Sequence, residues 1–353
     1  MTSSVLVTGA TGYLGRHLLG ALQRQNQPAL ALVRKLSDWQ SLPWSNEVEQ
    51  VVPVEGSPLA PRAWRDAPQL SNVRTIIHAA GVVRHSRNDA REVDEMNEVN
   101  VRGTLRMVQA AKALKARMVF VSSSGTVGCF RFPDLAADED APFAEELAGR
   151  WPYYASKIRA EREARRLAER IGVELVIVRP PVMLGPDDHK MRSVGHVLRV
   201  LDGKLPAVPQ GGMHFTDVRD AASAIARIPT LDVARPIYHL PGTASTLAEF
   251  FRMVNEVSGT KAVSRSIPRW TTRGLAKVSA LASKRPKWLP DPVILEMSTR
   301  FWGLTSLFAH ELGYAPRPAR QTLADTVAWL RSVKTEHAHS DSRVTISVNV
   351  PAS

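Results

Sequence analysis

The chain has 353 residues, enough to bury a sizeable core in one two-lobed unit or in two ordinary domains. Apolar residues make up 44% and charged residues 23%, a balance that excludes a disordered or fibrous chain. The net charge of +12 would suit an anionic partner, but many basic residues alternate with acids, as in KIRAEREARRLAERIG (157–172), which reads as a solvated helix face. No helix-turn-helix, zinc or aromatic RNA-binding signature accompanies the charge, so no nucleic acid partner is expected.

The N-terminus, MTSSVLVTGA, enters a strand pattern with neither a charged lead nor a cleavage site, and predicts no secretory leader. Every apolar run is broken before the roughly 18 residues that a spanning helix needs. Cys129 is the single cysteine, which excludes an intrachain disulfide and fits a reducing, cytoplasmic setting. Its expected place is a buried apolar site.

Through residue 180, apolar runs alternate with helical stretches: SVLVTGA, PALALVRK, VEQVVPVEG, VRTIIHAAG, RMVFVSSSG and VELVIVRPP. Such alternation predicts an α/β fold, a doubly wound parallel sheet over residues 1–180 with strands covered on both faces. From 181 to 333 Pro and Gly become frequent, with a β-like PIYHLPG and helices near 246–258 and 319–333. This half predicts a smaller mixed lobe, partly interleaved with the first. Residues 334–353 read as a flexible tail, in which RVTISVNV also carries the period-two pattern of an edge strand.

The first strand runs into TGATGYLG, with Gly9, Gly12 and Gly15 spaced G-x-x-G-x-x-G before a helical run. A strand, a bare glycine turn and a helix N-terminus suit a dinucleotide pyrophosphate, which needs close backbone approach and N–H groups aimed at it. Thr11, Tyr13 and Leu14 belong to the same turn. The second strand ends LALVRK, so Arg34 and Lys35 stand where an acidic residue would accept the ribose hydroxyl of NAD. A guanidinium there suits a 2′-phosphate and predicts NADP(H), with NAD as the alternative.

The fifth strand ends in Ser122, Ser123 and Ser124, and about 30 residues later comes PYYASK. Tyr153 and Lys157, four apart, share one helix face. An adjacent ammonium would lower a phenol pKa that is ordinarily near 10, and a strand-end serine would orient the substrate oxygen. Tyr154 points elsewhere on the helix and reads as packing.

With these motifs the chain resembles the extended short-chain dehydrogenase/reductase superfamily, whose fold is of Rossmann type, almost throughout residues 1–333. The resemblance rests on TGATGYLG, HAAG (78–81), NVRGT (100–104), VSSSGTVG (121–128), YYASK, VRPPVMLGP (178–186) and HFTDVRDAASA (214–224). It implies Tyr153 as general acid or base, Lys157 as holder of the nicotinamide ribose, and Ser123 as hydrogen-bond donor to the substrate oxygen. Ser124 is the alternative serine. Asn100 would shape the nearby backbone, Ala79, Ala80 and Gly81 would approach the cofactor, and Pro180 with Val182 would flank the nicotinamide. The family often has Gly-Asp-Leu after its third strand, and here Ser57 replaces that Asp.

Nucleotide-sugar epimerases of this kind carry a phosphate-binding arginine where GGMHFTDV has Met213, which counts against a sugar nucleotide. The C-terminal segments SIPRWTTRGLAKVSALA and FAHELGYAPRPARQTLADTVAWL resemble the dihydroflavonol-reductase and 3β-hydroxysteroid-dehydrogenase branches, which act on bulky apolar alcohols and ketones. The expected substrate is therefore a small apolar ring compound of the steroid, sterol, terpenoid or flavonoid kind, a sterol 4-carboxylate included. Trp270, Trp288, Trp302 and Trp329 in this lobe fit an apolar pocket or core packing. The rivals are a nucleotide-sugar epimerase holding NAD and a non-catalytic NADP sensor. By family analogy, helices near 98–114 and 153–171 would pair in a homodimer.

Between Val257 and Pro290 stand eight basic residues and no acid. A helix after Pro268 would align Trp270, Val278, Leu281 and Ala282 beside Arg269, Arg273, Lys277 and Lys284. That pattern fits either a peripheral membrane contact through 268–285 or a lid helix packed on the core.

Overall fold

The computed structural model describes residues 4–84, 89–205, 207–261, 265–281 and 291–344, with side chains through residue 335. Six strands form at the predicted apolar runs: β1 (Ser4–Thr8), β2 (Ala29–Val33), β3 (Val51–Glu55), β4 (Val73–His78), β5 (Arg117–Val121) and β6 (Leu175–Arg179). A seventh, β7 (Ile237–His239), comes from PIYHLPG. Its Pro-rich surroundings suggest the smaller lobe, but the apolar Ile237 and Tyr238 pair it with β6 in the main sheet.

All seven strands are parallel, in the order β7-β6-β5-β4-β1-β2-β3. β1 and β2 are buried along their whole length, as strands covered on both faces must be. One face packs on α1 (Tyr13–Arg24), through Leu14, Leu18 and Leu22. The other packs on α2 (Gly103–Leu114) and α3 (Pro152–Ile171), through Met107, Val108, Ala160 and Ala164. Connections leave β1 and β4 in opposite directions, so a crevice opens at their carboxyl ends. Open α/β sheets bind ligands there.

The smaller lobe holds strands Val182–Leu184, Gly212–Asp217 and Thr243–Thr246 around Phe215, Phe250 and Val254. Helix α4 (Val218–Ile225) returns to α1 and completes the first core. Helix α5 (Leu247–Ser258) begins in a capping box between Thr246 and Glu249. Helices α6 (Arg269–Leu281) and α7 (Pro292–Met297) pack together, and α8 (Ala319–Val344) lies on α5. No Pro or Gly interrupts residues 319–344, so α8 continues through Lys334, where a flexible tail was expected. Arg343 and Val344 are helical rather than the start of an edge strand, and residues 345–353 lie outside the described residues.

Asp217 ties the lobes. It caps α4 by accepting from the Arg219 backbone N–H at 2.9 Å and pairs with the guanidinium groups of Arg219 and Arg317. Burial would raise this carboxyl, but those hydrogen bonds hold it below the usual carboxylate range. Among the described residues, no helix is long and apolar enough to cross a membrane.

Candidate active site

The crevice is built first by glycine. Gly9 has φ +71°, and a Cβ there would stand 2.7 Å from the Ala80 nitrogen and 2.8 Å from the Ala79 carbonyl carbon. Only glycine lets the turn press against the strand end beside it. A side chain at Gly15 would run into the Gly9 carbonyl. Gly12 is the N-cap of α1 and its carbonyl accepts from Arg16 at 3.0 Å, which leaves the Tyr13, Leu14 and Gly15 amides outside the helical bonding. The Leu14 side chain is buried and Thr11 is exposed at the tip. The Tyr13 ring packs edge-on to His17, so Tyr13 offers the turn its backbone rather than its phenol.

A buried chain of hydrogen bonds fixes the adjoining loop. The Thr104 hydroxyl donates to the Asn100 carbonyl at 2.7 Å, so His78 Nε2 donates to Thr104 at 3.2 Å and His78 Nδ1 accepts from Thr8 at 2.7 Å. Burial, with Lys157 nearby, pushes the His78 imidazole down to about 3 and keeps it neutral. Asn100 sits in a π-helical stretch, Asn97–Arg102, that turns its side chain inward. Its Oδ1 accepts from the Val82 N–H at 2.8 Å, while its Nδ2 donates to the Val82 carbonyl at 2.9 Å and to Ser156 Oγ at 3.0 Å. One buried amide thereby clamps the Ala79–Val82 loop to α3.

Helix α3 starts with Pro152 at its first position and presents Tyr153 and Lys157 on one face. Tyr153, half-buried, hydrogen-bonds with Ser123. Ser123 caps the short turn Ser124–Thr126, whereas Ser124 is buried with its N–H on the Pro180 carbonyl at 2.9 Å. The structure thus brings Ser123, rather than Ser124, to Tyr153. Lys157 is buried, donates to the Val121 carbonyl at 2.9 Å and lies over the Phe120 ring at 4.9 Å. A Cβ on Gly81 would meet Lys157 Nζ at 3.7 Å, so Lys157 reaches the loop that follows β4.

The electrostatics differ from expectation. Burial pushes the Tyr153 phenol up to about 12, against the lowering effect of Ser123, and Lys157 does not bring it below its ordinary value. Burial likewise pushes the Lys157 ammonium down to about 8, with the Glu161 carboxylate pulling it partly back. The phenol therefore holds its proton at neutral pH. Tyr154 is buried against Trp151 and Trp302, as packing requires.

Sequence reasoning did not find the charge set behind these groups. Glu161, fully buried, accepts from Ser122 Oγ at 2.9 Å and pairs with Arg179, whose other branch meets His239 Nε2 at 3.1 Å. Glu161 follows Lys157 by four residues, a spacing that signals one helix face, but its partners come from β6 and β7 and have no local signal.

The remaining predicted positions are spread around the crevice. Arg34 and Lys35 lie exposed at the carboxyl end of β2, without an ion-pair partner among the described residues. The acid at the end of β3, Glu55, accepts from the Leu36 N–H at 3.1 Å. Ser57 turns into its own loop, its Oγ accepting from Leu59 at 3.2 Å. Pro180 adjoins the serine turn through its carbonyl, and Val182 begins the half-buried edge of the smaller sheet. Met213 packs among apolar residues that include Val182, Leu184 and Phe215. Cys129 is buried, and burial pushes its thiol up to about 12. Among the described residues no metal-ligating cluster occurs.

A doubly wound sheet with a glycine turn at its switch point, and a paired Tyr and Lys beyond a strand-end serine, defines the class; the sequence comparison places the chain within it. Residues 5–238 match the NAD dependent epimerase/dehydratase family, and the chain belongs to that family. It is an NAD(P)-dependent oxidoreductase of the extended short-chain type. Sterol demethylase protein B of Methylococcus capsulatus is 28% identical over 334 residues, covering 93% of this chain and 98% of that protein. Ceramide reductase of Caulobacter vibrioides is 32% identical, covering 82% of this chain and 75% of that protein. The crystal structure of gox2253 superposes with a TM-score of 0.77 at 28% identity, covering 94% of this chain and 98% of that one.

Proposed function

We propose that the protein interconverts a secondary alcohol and a ketone on an apolar, ring-containing substrate with NADP(H), using Ser123, Tyr153 and Lys157. The observation that carries the substrate class is Met213, set in an apolar cluster where epimerases of the family present a cation. The names of the relatives agree in kind: sterol demethylase protein B, and a putative dihydroflavonol 4-reductase of Synechocystis that is 28% identical over 348 residues.

The glycine turn suits the pyrophosphate, since Gly9 and Gly15 leave no room for side chains and three amides of α1 are unused. A bound nicotinamide supplies or takes the hydride at the carbon that carries the oxygen. In the reducing direction, the neutral Tyr153 phenol gives its proton to the carbonyl oxygen while Ser123 hydrogen-bonds that oxygen. Lys157, poised near 8, stabilises the phenolate that remains and helps return its proton. In oxidation the same groups act in reverse.

Arg34 and Lys35 support the choice of NADP(H). The test is to denature the purified protein, identify any released nucleotide, and titrate the nucleotide-free form with NADPH and NADH. NADPH should bind more tightly. Arg34→Ala should weaken NADPH by roughly 10- to 100-fold, the value of a charge-assisted phosphate contact, and leave NADH nearly unchanged. Retained stoichiometric NAD with no preference for NADPH would overturn this reading and favour the epimerase.

A further inference from the structure

Helix α6 faces the wrong way for a helix of a globular core. Its small residues Thr272, Ala276 and Ser279 are buried, with Ala276 packing on Leu295 of α7. Its large apolar residues point outward: Trp270 is 76% exposed, Val278 61% and Leu281 87%. At 100° per residue, Trp270, Lys277, Val278 and Leu281 share the outer face, with Arg273 at its border. Arg273 and Lys277 are exposed and have no ion-pair partner among the described residues. Arg269 is turned back to the body, donating to the Gln210 carbonyl at 3.2 Å and lying over the Phe301 ring. Ala282, Lys284 and the rest of 282–290 lie outside the described residues.

We infer that the outer face of α6 docks on an anionic membrane surface. The chemistry is complementary in both respects. Trp270, Val278 and Leu281 form an apolar ridge of the kind that enters the headgroup boundary, and an exposed tryptophan favours that depth. Arg273 and Lys277 then lie at the level of lipid phosphates, within a stretch, 258–290, that carries no acid to repel them. A protein partner with an acidic surface would satisfy the cations but would leave the ridge in water. The inference does not depend on the substrate assigned above, and its test uses no turnover.

The full-length protein is sedimented with vesicles of phosphatidylcholine alone, and with vesicles of phosphatidylcholine and phosphatidylglycerol in equal parts, at low and high salt. Two double variants are compared, Trp270→Ser with Leu281→Ser, and Arg273→Ser with Lys277→Ser, each checked for an unchanged unfolding midpoint. These side chains are exposed, so folding should be unaffected. Binding is expected to the anionic vesicles, weakened by salt, and reduced about tenfold or more by each pair of substitutions. Wild-type protein that stays in the supernatant with anionic vesicles at low salt overturns the inference. So does vesicle binding that neither double variant changes. Sedimentation equilibrium without lipid supplies the remaining outcome: a self-associated wild type that the Trp270/Leu281 variant dissociates would assign the face to a second copy of the chain instead.

Discussion

At Lys157 the fold holds an ammonium that burial pushes from 10.5 down to about 8, a penalty on the order of 3 kcal/mol at neutral pH. Lys157→Met removes that penalty, so the variant should unfold at the same or a higher temperature while losing most of its turnover. The sign follows from the displacement. The folded pKa lies below the unfolded one, so the penalty is full below pH 8 and gone above pH 10.5. The stability difference between variant and wild type should therefore shrink as pH rises from about 8 to about 10, which denaturant titrations at several pH values would measure. Tyr153→Phe should lower turnover by roughly 10²- to 10⁴-fold with dinucleotide affinity kept, because only the proton is lost. The spacing of Tyr153 and Lys157 made this pair legible in the sequence. The buried charge set behind them was not, since Glu161 meets Arg179 and His239 only after the sheet has formed.

The glycine turn was the most legible element, because the strand, the glycine spacing and the helix stand together in the sequence, although the close approach that bars a side chain at Gly9 comes from Ala79 and Ala80 beyond β4. Gly9→Ala should cost at least about 1–2 kcal/mol from backbone conformation alone, and more from the contact with Ala80. It should also abolish the rise in unfolding temperature that added dinucleotide gives the wild type, as thermal melts with and without ligand would report. Helix α6 shows what an element alone does not say. Periodicity grouped Trp270, Val278 and Leu281 on one side, and ordinary packing would bury them. Instead the small side chains Thr272, Ala276 and Ser279 let α7 approach closely, so the opposite face was covered. The direction in which an amphipathic helix turns depends on its neighbours.

In the whole molecule, six strands were legible as apolar-rich runs alternating with helical stretches, while PIYHLPG was legible as a β-like piece but not as the seventh strand of the main sheet. Its place in the sheet comes from its partner, β6. A fragment covering residues 1–180 should accordingly be insoluble or molten when expressed alone. It would leave unpaired the edge of β6 that faces β7 and strip α4 from Leu18 and Leu22 of α1. Solubility and near-ultraviolet circular dichroism of that fragment would decide the point, and a well-folded product would refute it. The path of the chain leads further. It leaves the sheet after β6, builds part of the second lobe, returns for α4 and β7, and leaves again for α5 to α8. No single cut separates the two lobes, so the smaller lobe cannot be traded between relatives as one contiguous cassette. Changes to the smaller lobe must come residue by residue, within strands and loops that the larger lobe also needs in order to stand.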